Sequence, residues 1–251
     1  MQKVYVCLPC YNEEANIGLL VEEWEAEREK IKKLNYEMQV ILIDDKSTDD
    51  TLNVMENCRK QYDNITIIQH EVNQNLGGGV KTAFGYFLKN GESGDVCFLM
   101  DGDNTHAPCY SIPMLERLKE GYDCVIASRY CNNSNVVGVP KVRLFLSDGA
   151  RLFYTLVLGV KGVKDYTCGY RGYTYDIISK ATKKYGEHFI EMKTFACMME
   201  VLYKLNLCGA RFSEVGFELR YDNKQGESKM KILKTVRDSV GTAFKLRFHK
   251  M

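Results

Sequence analysis

Neither sign of charge dominates this chain. Its 34 lysines and arginines nearly cancel 33 aspartates and glutamates, leaving a net charge of +1. Nothing global therefore selects for nucleic acid, and any recognition of anions must be local. A long apolar run is also lacking. The longest, residues 152–160, is bracketed by Arg151 and Lys161 and falls far short of the ~20 residues a spanning helix needs. The opening residues show no secretory signal pattern, and the ten cysteines fall at scattered spacings that make no disulfide framework. The expectation is a cytoplasmic protein with reduced thiols. Cys7 and Cys10 have Cys-x-x-Cys spacing, but no second pair accompanies them and they fall at a strand end, which favours packing over redox or metal chemistry. The sequons Asn64-Ile65-Thr66 and Asn132-Asn133-Ser134 mean little without secretion.

What is present is a pattern. At 251 residues with 45% hydrophobic content, the chain can bury a full core as one large domain, or one domain with an appendage. Short apolar runs rich in β-branched residues occur at 4–8, 40–43, 65–69, 96–100 and 124–127. Segments of helical periodicity, 13–33, 48–62 and 80–88, separate the first four. This alternation predicts a parallel sheet with helices on both faces, whose ligands bind beyond the carboxyl ends of the strands. The polar clusters fall at those ends: 9–13 after the first run, 44–47 after the second, and Asp101-Gly102-Asp103 after the fourth.

Each cluster has two readings. Two carboxylates one residue apart, where a strand meets a loop, suit Mg²⁺ or Mn²⁺ held against a diphosphate, but Asp-x-Asp also occurs in solvated turns. The acidic run 44–50 can cap the following helix; Ser47 or Thr48 is expected to cap while Asp44 accepts hydrogen bonds from a base or ribose. Tyr11 reads as a core aromatic or as a flank for a planar base. Gly77, Gly78 and Gly79 bring bare backbone N–H groups to a helix start, as a diphosphate contact or as a plain turn.

Taken together, Pro9-x-Tyr11-Asn12-Glu13-Glu14, Asp44-Asp45-x-Ser47-Thr48-Asp49, Asp101-x-Asp103 and Ser128-Arg129-Tyr130 resemble the family 2 glycosyltransferases of GT-A fold. The later motifs are similar to dolichol-phosphate mannosyltransferases and bacterial polyprenyl-phosphate glycosyltransferases. These are Arg143-x-x-x-Ser147, 168–173, Glu191-Met192, and Arg220-Tyr221-Asp222 followed by Gly226-x-Ser228-Lys229. The resemblance runs from about residue 3 to residue 235. It implies a Rossmann-like, mixed but mostly parallel sheet flanked by helices, with a catalytic domain over 1–220. Residues 221–251 would form an acceptor loop and a basic amphipathic C-terminal helix, in the same domain or as a membrane-surface appendage.

The resemblance further implies an inverting enzyme that moves a sugar, mannose or glucose, from a GDP- or UDP-sugar to a polyprenyl phosphate such as dolichyl or undecaprenyl phosphate. Asp101 and Asp103 would bind Mg²⁺ or Mn²⁺. Pro9, Tyr11, Glu13, Asp44, Gly77, Gly78 and Asp101 would hold the donor. Arg129, Arg143, Ser147, Ser228 and Lys229 would meet the acceptor phosphate, and Asp101, Asp103, Arg129, Arg220 and Lys229 would act in catalysis. A phosphate nucleophile is already ionised at neutral pH, so positioning and charge stabilisation suffice without a strong base. Arginine suits the acceptor because its planar fork donates two bonds to adjacent oxygens. Arg143 and Ser147 are four apart and share a face if helical. Two positions depart from the group. Thr105 stands where archaeal relatives place a glutamine ligand, leaving coordination to water. Lys46 stands where glycine is usual, so the base is not fixed.

Three rivals stand beside this reading. A hydroxyl acceptor would need a carboxylate base, with Asp148, Asp165 and Glu191 as candidates. A sugar-phosphate nucleotidyltransferase would need a glycine-rich first loop that is missing here. A nucleotide-sugar sensor would bind without turnover. A lipid acceptor demands a membrane surface. Two segments fit one: 144–159, apolar and aromatic between Arg143 and Arg151, and 229–250, where seven lysines and arginines interleave with apolar residues. Either segment also reads as a helix packed on the domain. The expected site of action is the cytoplasmic face of a membrane. Many members of the group continue into transmembrane helices, so a separate membrane protein is an expected partner.

Overall fold

The apolar runs become neighbouring strands of one sheet. The structure, a computed structural model, describes residues 1–138, 141–220 and 232–248, with the backbone alone for 141–147 and 232–239. The runs form β1 (Gln2–Cys10), β2 (Tyr36–Asp44), β3 (Ile65–Gln69), β4 (Val96–Leu99) and β5 (Cys124–Ser128). With β7 (Arg171–Thr174) and β8 (Phe212–Gly216) they build a seven-stranded sheet in the order β3-β2-β1-β4-β7-β5-β8. Every pairing is parallel except those of β7, which runs antiparallel to both β4 and β5. The sheet is thus mixed but mostly parallel, as the resemblance implied. A separate parallel pair joins β6 (Asn135–Val137) to β9 (Glu218–Arg220).

The continuous apolar stretch of β1 is buried from Val4 to Leu8, as expected of a strand covered on both faces. Helix α1 (Ile17–Lys33) turns Ile17, Leu20, Val21, Trp24 and Ile31 to the sheet. Trp24 meets Phe98 and Tyr170 at ring-centroid distances of 5.9 and 6.2 Å, so one indole ties the first helix to β4 and to the chain entering β7. The remaining helices are α2 (Thr51–Gln61), α3 (Asn75–Asn90), α4 (Ser111–Lys119), α5 (Lys141–Leu158), α6 (Tyr175–Tyr185), α7 (Ala196–Leu207) and α8 (Ile232–Phe248). Helix α8 packs on α5 and α7. Its Thr242, Ala243 and Leu246 are buried while Phe244 and Phe248 face outward.

Two expected helix starts move. Helix α2 begins at Thr51, and neither Ser47 nor Thr48 caps it; Asp49 instead accepts from the Thr51 N–H and hydroxyl. Helix α3 begins at Asn75, so Gly77, Gly78 and Gly79 lie inside its first turns rather than ahead of them. The reason is close packing. A Cβ on Gly77 would stand 2.0 Å from the Met192 carbonyl oxygen, and one on Gly79 would stand 2.8 Å from Pro9 Cβ.

Candidate active site

Three residues in the left-handed region follow three parallel strands: Asn12 (φ 56°) after β1, Lys46 (φ 62°) after β2 and Asn104 (φ 57°) after β4. Each turns the chain sharply at the carboxyl edge of the sheet, and the turns face one another. The first two are stitched together. Ser47 Oγ accepts from the Asn12 N–H at 2.9 Å, Asn12 Oδ1 accepts from the Thr48 N–H at 2.8 Å, and Thr51 Oγ1 accepts from the Glu13 N–H at 2.8 Å. Ser47 and Thr48, expected as helix caps, hold the two loops in register instead.

This stitching brings the carboxylates together. Cys10, the last residue of β1, is buried, and its thiol is pushed well above the ordinary range by burial and then by the charges of Glu13, Asp44, Asp101 and Asp103. One buried sulfur thus feels four carboxylates from three strand ends. A Cβ on Gly102 would lie 2.4 Å from Cys10 Sγ, so the glycine lets the Asp101–Asp103 turn sit directly on that sulfur. The ten cysteines are all unpaired thiols, and Cys7 packs against Cys97 at 3.8 Å.

Asp44 is fully buried. Its Oδ1 accepts from the Ser47 N–H at 3.0 Å and its Oδ2 from Gln69 Nε2 at 3.2 Å. It therefore holds its own loop in shape, beyond the free acceptor expected of it. Asp45 bonds His70 Nδ1 and the Gln74 N–H, both at 2.7 Å, fixing the loop that enters α3. Tyr11 is exposed at the rim and Pro9 is half-buried beneath Gly79.

The Asp pair is held by its own turn and by the far half of the chain. Asp103 Oδ1 accepts from the Thr105 hydroxyl at 2.7 Å and from the Thr105 N–H at 3.3 Å. On the other side a Cβ on Gly169 would stand 2.7 Å from Asp101 Oδ2, so the 165–169 loop packs against that carboxylate. Arg220, at the end of β9, donates its backbone N–H to the Thr105 carbonyl at 3.3 Å and an Nη to Glu218 at 3.3 Å. It therefore lies at the Asp101–Asp103 turn.

Two groups expected to meet ligand are already engaged within the protein. The Gly77 N–H donates to the Lys193 carbonyl at 3.0 Å, and a Cβ on Gly78 would meet the Gln74 side chain. Arg129 turns its fork onto buried Asp165, Nε to Oδ2 at 2.8 Å and Nη2 to Oδ1 at 2.7 Å, with Nη2 also reaching Thr167 Oγ1 at 2.6 Å. The planar fork that suits a phosphate is closed on a carboxylate of its own chain. Burial raises the Asp165 pKa, but the Arg129 charge and hydrogen bonds hold it below the usual carboxylate value. Arg143 and Ser147 lie on α5, where their side chains are outside the described residues. Ser228 and Lys229 also lie outside the described residues.

Sequence reasoning missed a second group. Glu200 and Lys204 form a buried pair on α7 at 2.7 Å. Glu200 Oε2 accepts the N–H groups of Glu191 and Met192, each at 2.9 Å, and Lys204 donates to the His188 carbonyl. The Glu-x-x-x-Lys spacing was the available signal. Among the described residues no group of three or more histidine, cysteine, aspartate or glutamate side chains is arranged to hold a metal ion. A cation at Asp101 and Asp103 would take its other ligands from water and phosphate, the arrangement Mg²⁺ favours.

Comparison with known proteins is consistent with this geometry. The sequence model of glycosyl transferase family 2 matches residues 5–191. The polyprenol monophosphomannose synthase of Mycolicibacterium smegmatis is 29% identical over 180 residues, covering 71% of this chain and 64% of that protein. The dolichol-phosphate mannosyltransferase of Pyrococcus furiosus is 28% identical over 232 residues, covering 91% of this chain and 59% of that protein. The chain thus spans less than two thirds of the length of either relative. Glucosyl-3-phosphoglycerate synthase from Mycobacterium tuberculosis, solved with Mn²⁺, UDP and glucosyl-3-phosphoglycerate, superposes with a TM-score of 0.71 at 15% identity, over 98% of this chain and 80% of that one. At that identity the likeness shows the fold alone.

Proposed function

The chain belongs to glycosyl transferase family 2, and from that premise we propose that it moves a hexose, mannose or glucose, from a nucleotide-diphosphate sugar to a polyprenyl phosphate with inversion at the anomeric carbon. The observation that carries this reading is the convergence of Glu13, Asp44, Asp101 and Asp103 about Cys10. Four carboxylates at one sheet edge concentrate negative charge where a diphosphate is to bind, and a cation offsets that charge. Their hard oxygen donors suit Mg²⁺ or Mn²⁺, with Asp101 and Asp103 as its protein ligands. When bound, the cation neutralises the leaving diphosphate. Pro9, Tyr11 and Glu13 line the edge where the nucleoside would lie, with Asp44 buried behind it holding the loop in shape.

Two of the three candidate bases, Asp165 and Glu191, are engaged by cations, which supports a phosphate acceptor. Asp165 is buried against Arg129. Glu191 is held below the ordinary glutamate range, first by its hydrogen bond to His188 and then by Lys245 and Lys204. Carboxylates held in the charged form by cations make poor bases for a hydroxyl. A phosphate acceptor needs none: its oxygen attacks the anomeric carbon, the bond to the diphosphate breaks, and the nucleoside diphosphate leaves. The relatives named for polyprenol and dolichol phosphate support this choice.

Such an acceptor lives in a membrane, and we extend the proposal to docking there. No helix among the described residues is long and apolar enough to cross a bilayer. Helices α5 and α8, joined by Phe153 and Phe244 with ring centroids at 5.7 Å, instead expose Leu152, Leu156 and Phe248 at 61%, 76% and 71%. Exposed Arg151, Lys161, Lys245 and Arg247 stand on the same elements or beside them. Apolar residues rimmed by cations fit the interface of an anionic bilayer.

The test is transfer itself. Purified protein with Mn²⁺, GDP-mannose or UDP-glucose, and a dispersed polyprenyl phosphate should yield a lipid-linked hexose by mass spectrometry, and chelator should abolish it. Product on a glycan hydroxyl but none on lipid phosphate would overturn the acceptor. Failure of GDP, UDP and other nucleoside diphosphates to bind the folded protein would overturn the whole reading.

A further inference from the structure

A chain of hydrogen bonds runs from the core to Asp103. Thr105 Oγ1 lies 2.7 Å from Asp103 Oδ1 and 3.0 Å from His106 Nδ1, and His106 Nε2 lies 3.5 Å from Cys168 Sγ. All three residues behind the carboxylate are buried. The imidazole is fixed from its faces as well. It stacks on Phe217 with centroids 5.1 Å apart and planes 20° apart, and meets the edge of Tyr170 at 6.0 Å.

The direction of each bond follows from what each atom can do. A carboxylate only accepts, so the Thr105 hydroxyl spends its single proton on Asp103. The same oxygen must then accept, so His106 carries its proton on Nδ1. In the neutral ring this leaves Nε2 as the acceptor facing the Cys168 thiol, a weak donor. Burial pushes that thiol up to about 12, so it keeps its proton. Cys168 donates to His106, His106 to Thr105, and Thr105 to Asp103.

We propose that Thr105, oriented by His106 and Cys168, is a positioning residue that helps fix the rotation of the Asp103 carboxylate for a divalent cation. Two donors on one oxygen, the Thr105 hydroxyl and N–H, set the carboxylate plane, and the backbone bond alone is long at 3.3 Å. Hydrogen bonds from a surrounding shell orient metal-binding side chains in this way, and their loss costs roughly 10–100-fold in metal affinity. The inference rests on the assignment of Asp103 as a metal ligand.

The experiment compares Thr105→Val, which keeps the shape and removes the hydroxyl, with Thr105→Ser, which keeps the hydroxyl. Mn²⁺ is titrated by electron paramagnetic resonance with UDP or GDP present, beside thermal melting. Thr105→Val should weaken Mn²⁺ binding roughly tenfold while Thr105→Ser stays near the parent. Equal Mn²⁺ affinity in parent and Thr105→Val overturns the inference and leaves the metal site standing. No Mn²⁺ binding by the folded parent overturns both. A metal-free readout stands beside these: nitrogen NMR of the four histidines should show His106 protonated at Nδ1, a state that Thr105→Val disturbs. Protonation at Nε2 in the parent would overturn the donor chain.

Discussion

Gly169 and Asp101 are in contact only because Gly169 has no side chain: a Cβ there would stand 2.7 Å from Asp101 Oδ2 and 3.2 Å from Cγ. The loop that carries Gly169 is anchored at its other end by Asp165, which accepts from the N–H groups of Arg129, Thr167 and Cys168. The loop cannot easily retreat, so the carboxylate must. Gly169→Ala should displace Asp101 and lower kcat by roughly 10²-fold, as misplacement by about an ångström does, with about 1–3 kcal/mol of lost stability from overpacking. Steady-state kinetics and thermal melting check it. Unchanged turnover would show that Asp101 is not held by this contact.

The strands and strand-end clusters were legible because both are local. An apolar run followed by a polar turn reads the same in sequence and in space, and Asp101 and Asp103 sit at such a junction. What was not legible depends on distance. Arg129 finds Asp165 across 36 positions, and His106 stacks on Phe217 from a different strand connection. An arginine beside a serine and a tyrosine looks like a phosphate ligand until its partner is seen. The packing of Gly77 and Gly79 is hidden for a similar reason. At Gly77 and Gly79 the missing side chains make room for Met192 and Pro9, and neither neighbour is near in sequence.

Lys46 offers a prediction on stability. Its φ of 62° places an L-residue in the left-handed region, at a cost of about 1–2 kcal/mol that glycine escapes. The side chain is exposed and makes no hydrogen bond among the described residues. Allowing for glycine's greater freedom when unfolded, Lys46→Gly should stabilise the ligand-free protein by about 0.5–1 kcal/mol, raising Tm by about 1–4 °C. A fall in Tm would mean that the Lys46 side chain stabilises the loop.

The Arg129–Asp165 pair predicts an acid limb. Asp165 titrates below its unfolded value near 3.9. Its contribution is therefore fully present above that value and is lost as pH falls through the lower folded pKa. Asp165→Asn should remove this part of the fall in stability below about pH 4, leaving the share of the other carboxylates. At neutral pH the same variant leaves a half-buried guanidinium without its counter-charge and should cost about 3 kcal/mol, the lower end for a buried pair. Urea unfolding from pH 3 to pH 7 measures both. An acid limb as steep as the parent's would mean that Asp165 is not among the groups that titrate on unfolding.

Gly77 carries the most severe prediction. A Cβ would stand 2.0 Å from the Met192 carbonyl oxygen and 3.0 Å from Lys193 Cα, and its N–H already holds the Lys193 carbonyl. Backbone obstacles are not rotated away as side chains are. This backbone is pinned from behind as well, because Glu200 accepts the N–H groups of Glu191 and Met192 while pairing with Lys204. Gly77→Ala should therefore cost about 3 kcal/mol or more, at the upper end for overpacking. The pinning is testable separately. If Glu200 is what stops the loop from yielding, Gly77→Ala should cost about 1 kcal/mol less in a Glu200→Gln background, the coupling expected of sites that share a backbone shift. Strictly additive losses in urea unfolding would mean that α3 meets a loop held in place by something other than the buried pair.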